Sequence, residues 1–148
     1  ETFDRDIDKK SLIGPTREAV KVAEEVKKRY DNFGLMIDLS HLPLLKETPK
    51  ESLNMAKDHL AHVHIGNCIM SDKNHPAYGD WHPMFGIKEG ENGVDELVEF
   101  LKVLVDIGYL NKSKPEIVSF EVKPFGEQTS QEVIRNAKET LNAAWSKL

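Results

Sequence analysis

Acidic and imidazole side chains stand at or near the ends of several short apolar segments of this chain. The five residues are Glu1, Asp38, His41, His64 and Glu121. Carboxylates and imidazoles that converge on one point form a mixed oxygen and nitrogen site. Such a site suits a divalent ion such as Mn²⁺, Mg²⁺, Co²⁺ or Zn²⁺.

Each of these residues also has a simpler interpretation when it is taken alone. An Asp at a strand end is often a helix cap or a turn former, and a single His is often a hydrogen-bonded core residue. The pattern on consecutive segments favours a shared site, because charged groups in a core are costly unless they are paired or bound to a metal. His62 shares a strand face with His64 and is left as a neighbouring or core residue.

Segments typical of strands and helices alternate along the chain. Three short apolar segments predict strands at 34–41, 61–67 and 116–122. Helical spacing of apolar residues predicts helices at 15–30, with Thr16 as its cap, and at 48–60, 93–108 and 129–145. Alternation of this kind predicts a parallel sheet, in which ligands bind at the carboxyl ends of the strands. Glu1 stands where a preceding strand would end.

The segment 67–92 interrupts this alternation and contains "GDWHPMFG" at 79–86. A loop of this length is usually functional or disordered. Asp80 and His82, separated by one residue, could bind a substrate or a second metal. They could equally be solvated side chains of a turn rich in Gly and Pro.

Length and composition predict one domain, residues 1–148, with a core of ordinary size. The net charge of −5 gives no overall attraction to nucleic acid or to anionic lipid, and no apolar run is long enough to span a membrane. The single Cys68 excludes an internal disulfide and fits a reducing compartment such as the cytoplasm. The opening "ETFD" suggests that the protein starts upstream or that the chain was cut.

In order and spacing, the motifs resemble the C-terminal half of a xylose-isomerase-like TIM barrel. The superfamily includes sugar isomerases, sugar epimerases and the endonuclease IV nucleases. The motifs are the opening acid of "ETFD", "DLSH", "HVHIGN", "GDWHPMFG", "EGENGVDELVEFL" and "SFEVKP". The resemblance implies an α/β fold with three complete βα units and the stump of a fourth strand.

The resemblance also implies roles for individual residues. A single divalent metal would be held by Glu1, Asp38, His64 and Glu121, with the two Glu residues acting as the acid and base at carbon. His41 would contact the substrate. The Arg that such epimerases place after the metal His is absent from "HIGNCIM". The Asp80 and His82 loop resembles the nuclease branch instead, which binds further metal there.

We therefore expect a metal-dependent sugar or sugar phosphate isomerase or epimerase that works by proton transfer through an enediolate. The alternatives are an endonuclease IV-like phosphodiesterase acting on abasic DNA, and a non-catalytic barrel fragment. The expected partners are a sugar and either a second copy or a missing N-terminal half, without nucleic acid or membrane. A half barrel should expose Met36, Val63 and Phe120, or their neighbours, on its inner face.

Overall fold

A computed structural model describes residues 1–114 and 116–148 of the chain as a layer of helices on a parallel sheet. The strands are β1 (Leu35–Asp38), β2 (Leu60–Ile65) and β3 (Val118–Phe120). The helices are α1 (Thr16–Lys27), α2 (Leu42–Leu45), α3 (Pro49–Ala56), α4 (Val94–Asp106) and α5 (Ser130–Trp145). The predicted α/β class and the parallel sheet are confirmed.

The register of the sheet decides which side chains face the helices. The strand order is β1-β2-β3, Ile37 pairs with Val63, and Val63 pairs with Val118. Ile37 and Val63 belong to the core under the helices, and Val118 and Phe120 pack against it half-buried. Because side chains alternate along a strand, Val63 and Phe120 do not lie on the open face, and their neighbours do. Met36, His62 and Ser119 occupy the open face, where the Ser119 hydroxyl lies 3.2 Å from His62 Nε2.

The apolar stripes of the helices explain the core. Helix α3 packs between α1 and α4, and α4 packs against α5. Buried side chains at helical spacing include Ala19, Leu53, Leu97, Leu101, Leu104 and Ala137. Within the described residues, no helix has the length and apolar character needed to cross a bilayer.

Two predicted strand ends differ in the structure. The strand expected to end at Glu1 is not seen among the described residues before α1, where the backbone carbonyl of Thr2 bonds to the ring of His41 at 2.8 Å. The first predicted strand stops at Asp38, and Leu39–His41 form a 3-10 turn. The Asp38 side chain starts this turn by accepting from the Ser40 amide at 2.6 Å.

Helix α5 begins with a capping box, which yields a first prediction. Glu132 Oε2 accepts from the Thr129 amide at 2.7 Å, and the Thr129 hydroxyl accepts from the Glu132 amide at 3.3 Å. Thr129→Ala is expected to lower the free energy of unfolding by about 1 kcal/mol in urea denaturation. The neighbouring Ser130→Ala should change it by less than about 0.5 kcal/mol. Equal losses in the two variants would contradict the role of the cap.

Candidate metal centre

Successive strands bring three of the predicted site residues together at one end of the sheet, and the N-terminal segment adds Glu1. Asp38 ends β1 and pairs with His64 of β2, while Glu121 follows β3 directly. Glu1, Asp38, His64 and Glu121 each offer a ligand atom, and these atoms all lie within 4.8 Å of one another. The geometry therefore allows a single ion to reach all four residues.

Asp38 shows most clearly that this cluster fits a cation. Its side chain is fully buried, and Oδ1 accepts from the Ser40 amide. Oδ2 is buried without a hydrogen-bond partner among the described residues and lies 3.8 Å from His64 Nδ1. Burial raises the pKa of this carboxyl. A buried carboxylate oxygen that faces other ligands and lacks a donor is the arrangement that a bound divalent ion would satisfy.

The other three residues complete the cluster with different degrees of exposure. His64 Nδ1 lies 2.5 Å from Glu121 Oε2, and the Glu121 side chain is 37% exposed. Burial raises the pKa of Glu1. Partial burial also disfavours the charged form of Glu121, but the nearby His82 and His64 outweigh it and lower the pKa of Glu121. The two carboxyls that would face a substrate thus lie in different electrostatic environments.

A second cluster lies beside the first and contains the other three predicted residues. Asp80 Oδ1 lies 3.0 Å from His41 Nε2 and 2.9 Å from His82 Nε2. All three side chains are almost fully buried. His82 Nε2 also lies 3.3 Å from Glu121 Oε1, and His41 Nδ1 lies 3.5 Å from Glu1 Oε1. The second cluster therefore contacts both glutamates of the first.

The outer nitrogens of these two imidazoles are already engaged. His41 Nδ1 donates to the Thr2 carbonyl, and His82 Nδ1 lies 3.2 Å from the Ser40 hydroxyl. Both Nε2 atoms consequently point inward. His41 Nε2 and Asp80 Oδ1 lack hydrogen-bond geometry among the described residues, despite their short distances. Ligating imidazoles are commonly held by their other nitrogen in this way, and His41, His82 and Asp38 each offer a ligand atom within 4.8 Å of the others.

Without a cation, Asp80 acts as the counter-ion of both imidazoles. Burial lowers the pKa of His41, but the contacts with Asp80 and the charges of Asp38 and Glu1 outweigh it and raise the pKa to about 9. For His82, too, burial lowers the pKa, but the nearby carboxylates outweigh burial and raise it. Burial raises the pKa of Asp80, but the two imidazoles outweigh it and hold that pKa below its ordinary value.

Residues outside the predicted set hold the loop 67–92 over the site. Asn67 Oδ1 accepts from the amides of Cys68 and Asn92, and Asn92 Nδ2 donates to the Gly66 carbonyl at 3.0 Å. Asp8 Oδ2 accepts from the Asp80 amide at 2.8 Å. The sequence offers no local signal for these bonds, because their partners lie up to 72 positions apart.

Asp38→Asn provides a test of the first cluster without depending on activity. The amide is expected to weaken Mn²⁺ binding at least about 100-fold, since even losing a partner of a metal ligand typically costs 10–100-fold. The free energy of unfolding in EDTA should not fall, because the variant removes a buried carboxyl whose pKa is raised by burial. Calorimetric titration and thermal unfolding measure the two quantities.

Asp106→Asn, on the exposed end of α4, is the matched control and should bind Mn²⁺ as the unaltered protein does. An Asp38→Asn variant with unaltered Mn²⁺ affinity would show that Asp38 does not bind the ion.

Comparisons with known proteins give a structural neighbour. No family model matches the chain, and no curated protein matches it. Among solved structures, the chain is similar to D-psicose 3-epimerase from Clostridium cellulolyticum H10, in crystal structures with D-tagatose. The sequence identity is 16% and the TM-score is 0.61. The match covers 98% of this chain and 47% of that chain, so the chain spans about half the length of this neighbour. The likeness shows that this α/β chain with its parallel sheet shares its fold with about half of that enzyme.

Proposed function

We propose that the chain carries the metal site of a divalent-metal-dependent sugar isomerase or epimerase. The observation that supports this most strongly is the convergence of four side chains around Asp38 Oδ2, which has no hydrogen-bond partner among the described residues. The four are Glu1, Asp38, His64 and Glu121. The shared fold with an enzyme named as a sugar epimerase is a second, independent support.

The four residues of the first cluster would hold the ion. When bound, a divalent ion there polarises a substrate carbonyl and stabilises the negative charge that develops on its oxygen. The protein contributes the proton transfers. Glu1 or Glu121 takes the proton from the carbon beside the carbonyl, and the other glutamate returns a proton. Return on the opposite face of the same carbon gives epimerisation, and return at the neighbouring carbon gives isomerisation.

His82 orients Glu121 for this step. His82 Nε2 lies 3.3 Å from Glu121 Oε1, whereas Oε2 lies beside His64 Nδ1 and would share the ion with it. Part of the Glu121 side chain remains exposed. His41 lies at Glu1 in a similar way, although its predicted contact with substrate stays a prediction.

Hydrogen exchange tests this chemistry without knowledge of the correct sugar. The protein is incubated with D-tagatose or D-fructose in D₂O with Mn²⁺, and proton NMR follows the hydrogens beside the carbonyl. Exchange or conversion that disappears in EDTA is the expected result. A panel of ketoses and ketose phosphates that all retain their hydrogens, with the metal site loaded, would contradict the proposal.

A metal-dependent phosphodiesterase is the second candidate, and the second cluster favours it. A second ion held by His41, Asp80 and His82 beside the first would provide the paired metals that many phosphodiester hydrolases use. The net charge of −5 opposes binding to a nucleic acid. Cleavage of a duplex with one abasic site, by protein that does not exchange ketose hydrogens, would select this candidate.

The open face of the sheet bears on the complete enzyme. Met36, His62 and Ser119 lie on the face away from the helices. We expect a second copy or an N-terminal half of the barrel to cover this face and to supply the remaining substrate contacts. If neither is present, the chain is the non-catalytic fragment of the third alternative. Sedimentation of the purified protein distinguishes a dimer from a monomer.

A further inference from the structure

The geometry points to a substrate that carries an anionic group, with Lys9 and Lys123 as the residues that recognise it and Trp81 as the surface beside it. This inference rests on the proposed function and narrows its substrate class. It goes beyond the structural neighbour, whose title names only uncharged sugars.

Lys123 lies next to the first cluster along the chain and has no acidic partner among the described residues. It follows Glu121 by two residues, and its amide donates to the His82 carbonyl at 2.8 Å. Its ammonium lies 3.6 Å from the centre of the Trp81 ring. In the part of the chain that the structure describes, no carboxylate lies within salt-bridge distance of this ammonium. The indole therefore holds a cation at the site whose charge remains available.

Lys9, in the segment before α1, provides a second ammonium that contacts the loop 67–92. Its Nζ lies 3.3 Å from Asp80 Oδ2, and its side chain is 45% exposed, whereas that of Asp80 is 1% exposed. The exposed end of this pair is therefore the cation. Asp80 Oδ1 lies 2.9 Å from His82 Nε2, and that nitrogen lies 3.3 Å from Glu121 Oε1, so a chain of contacts links Lys9 to the first cluster.

The two lysines differ from the rest of this acidic chain. The net charge is −5, so the molecule as a whole repels anions. Lys9 and Lys123 are held by neighbouring residues, Asp80 and Trp81, on the loop that covers the site. Beside the contact of Lys9 with Asp80, the two ammonium groups retain donors for a phosphate or carboxylate. The indole of Trp81, 38% exposed, lies against Lys123 and can pack against the carbon chain of a sugar.

Ligand binding tests the inference separately from catalysis. Trp81 and Trp145 are the only tryptophans, so the fluorescence of a Trp145→Phe protein reports on Trp81. With Mn²⁺ present, D-fructose 6-phosphate, D-fructose, D-gluconate and inorganic phosphate are titrated. The phosphorylated sugar is expected to bind at least about tenfold more tightly than D-fructose. Lys123→Gln and Lys9→Gln should each reduce that preference about tenfold, and Lys138→Gln on the exposed face of α5 should leave it intact.

The ligand series identifies the anionic group and separates the two proposals. Tight binding of D-gluconate in place of the sugar phosphate would assign the lysines to a carboxylate and retain the inference. Equal affinities for D-fructose and D-fructose 6-phosphate would overturn it, and so would inorganic phosphate binding as tightly as the sugar phosphate. A lysine-dependent preference without any hydrogen exchange would uphold the subsite and count against the isomerase chemistry. Hydrogen exchange confined to uncharged ketoses would uphold the isomerase chemistry and count against the anion subsite.

Discussion

Glu121→Gln is expected to slow metal-dependent hydrogen exchange of the substrate by a factor of about 10²–10⁴. The glutamine keeps the size of the side chain and one oxygen for the ion, but it cannot accept a proton from carbon. Exchange is measured by proton NMR at a Mn²⁺ concentration that saturates the variant. Saturation is verified by calorimetry, because Glu121 belongs to the first cluster as well as to the proposed acid and base pair.

The matched control is Glu139→Gln on the exposed face of α5, which should exchange at the unaltered rate. Full activity in a metal-loaded Glu121→Gln protein would show that another group transfers the proton.

Asp80→Ala is expected to lower the free energy of unfolding by about 3–5 kcal/mol in EDTA. The carboxylate contacts His41, His82 and Lys9, and removing it leaves two buried imidazoles without their counter-ion. Urea denaturation at pH 6 measures the loss. Asp72→Ala, at an exposed position of the same loop, should have an effect below about 0.5 kcal/mol. Similar losses in the two variants would mean that Asp80 is not the centre of the charge network.

The pH dependence of stability provides a second readout for Asp80. The pKa of His41 is about 9 in the folded protein, against about 6.5 in an unfolded chain. A raised pKa stabilises the fold fully below about pH 6.5, and the contribution is lost as the pH rises through about 9. The unaltered protein should therefore lose on the order of 3 kcal/mol across this range in EDTA. Asp80→Asn should reduce this loss of stability with rising pH.

Local patterns predicted the helices well because the relevant information lies within each segment. The 93–108 stripe became α4, with Leu97, Leu101 and Leu104 buried as its spacing indicates. Thr16 was predicted to be a helix cap and is not, since Pro15 occupies that position. Its hydroxyl instead donates to Glu47 at 2.6 Å and lies 2.7 Å from the Ser52 hydroxyl. Contacts between distant elements override such local preferences.

The strands were less predictable than the helices because short apolar segments do not show which face is buried. Val63 was assigned to the open face, yet the pairing with Ile37 places it in the core. His41 was read as the end of a strand, but it lies in a 3-10 turn set by the Asp38 side chain. The proximity of Asp38, His64 and Glu121 could be predicted, because parallel strands place their carboxyl ends at one edge.

The links between the two clusters could not be predicted. His82 has a left-handed backbone with φ of 56°, and this conformation belongs to a loop whose bonds to Asp8, Ser40 and Lys123 span distant parts of the sequence. The spacing of Asp80 and His82 indicated only that both could reach one point. That Asp80 lies between the imidazoles of His82 and His41 follows from the fold.

The central claim is that Glu1, Asp38, His64 and Glu121 hold one divalent ion. Crystals grown with MnCl₂ and measured at the manganese absorption edge test it most directly. The account predicts an anomalous peak in contact with Asp38 Oδ2, with all four side chains at about 2.0–2.3 Å from the ion. Crystals at saturating Mn²⁺ that show no peak among these four residues, or manganese bound only at a site that excludes Asp38, would contradict it.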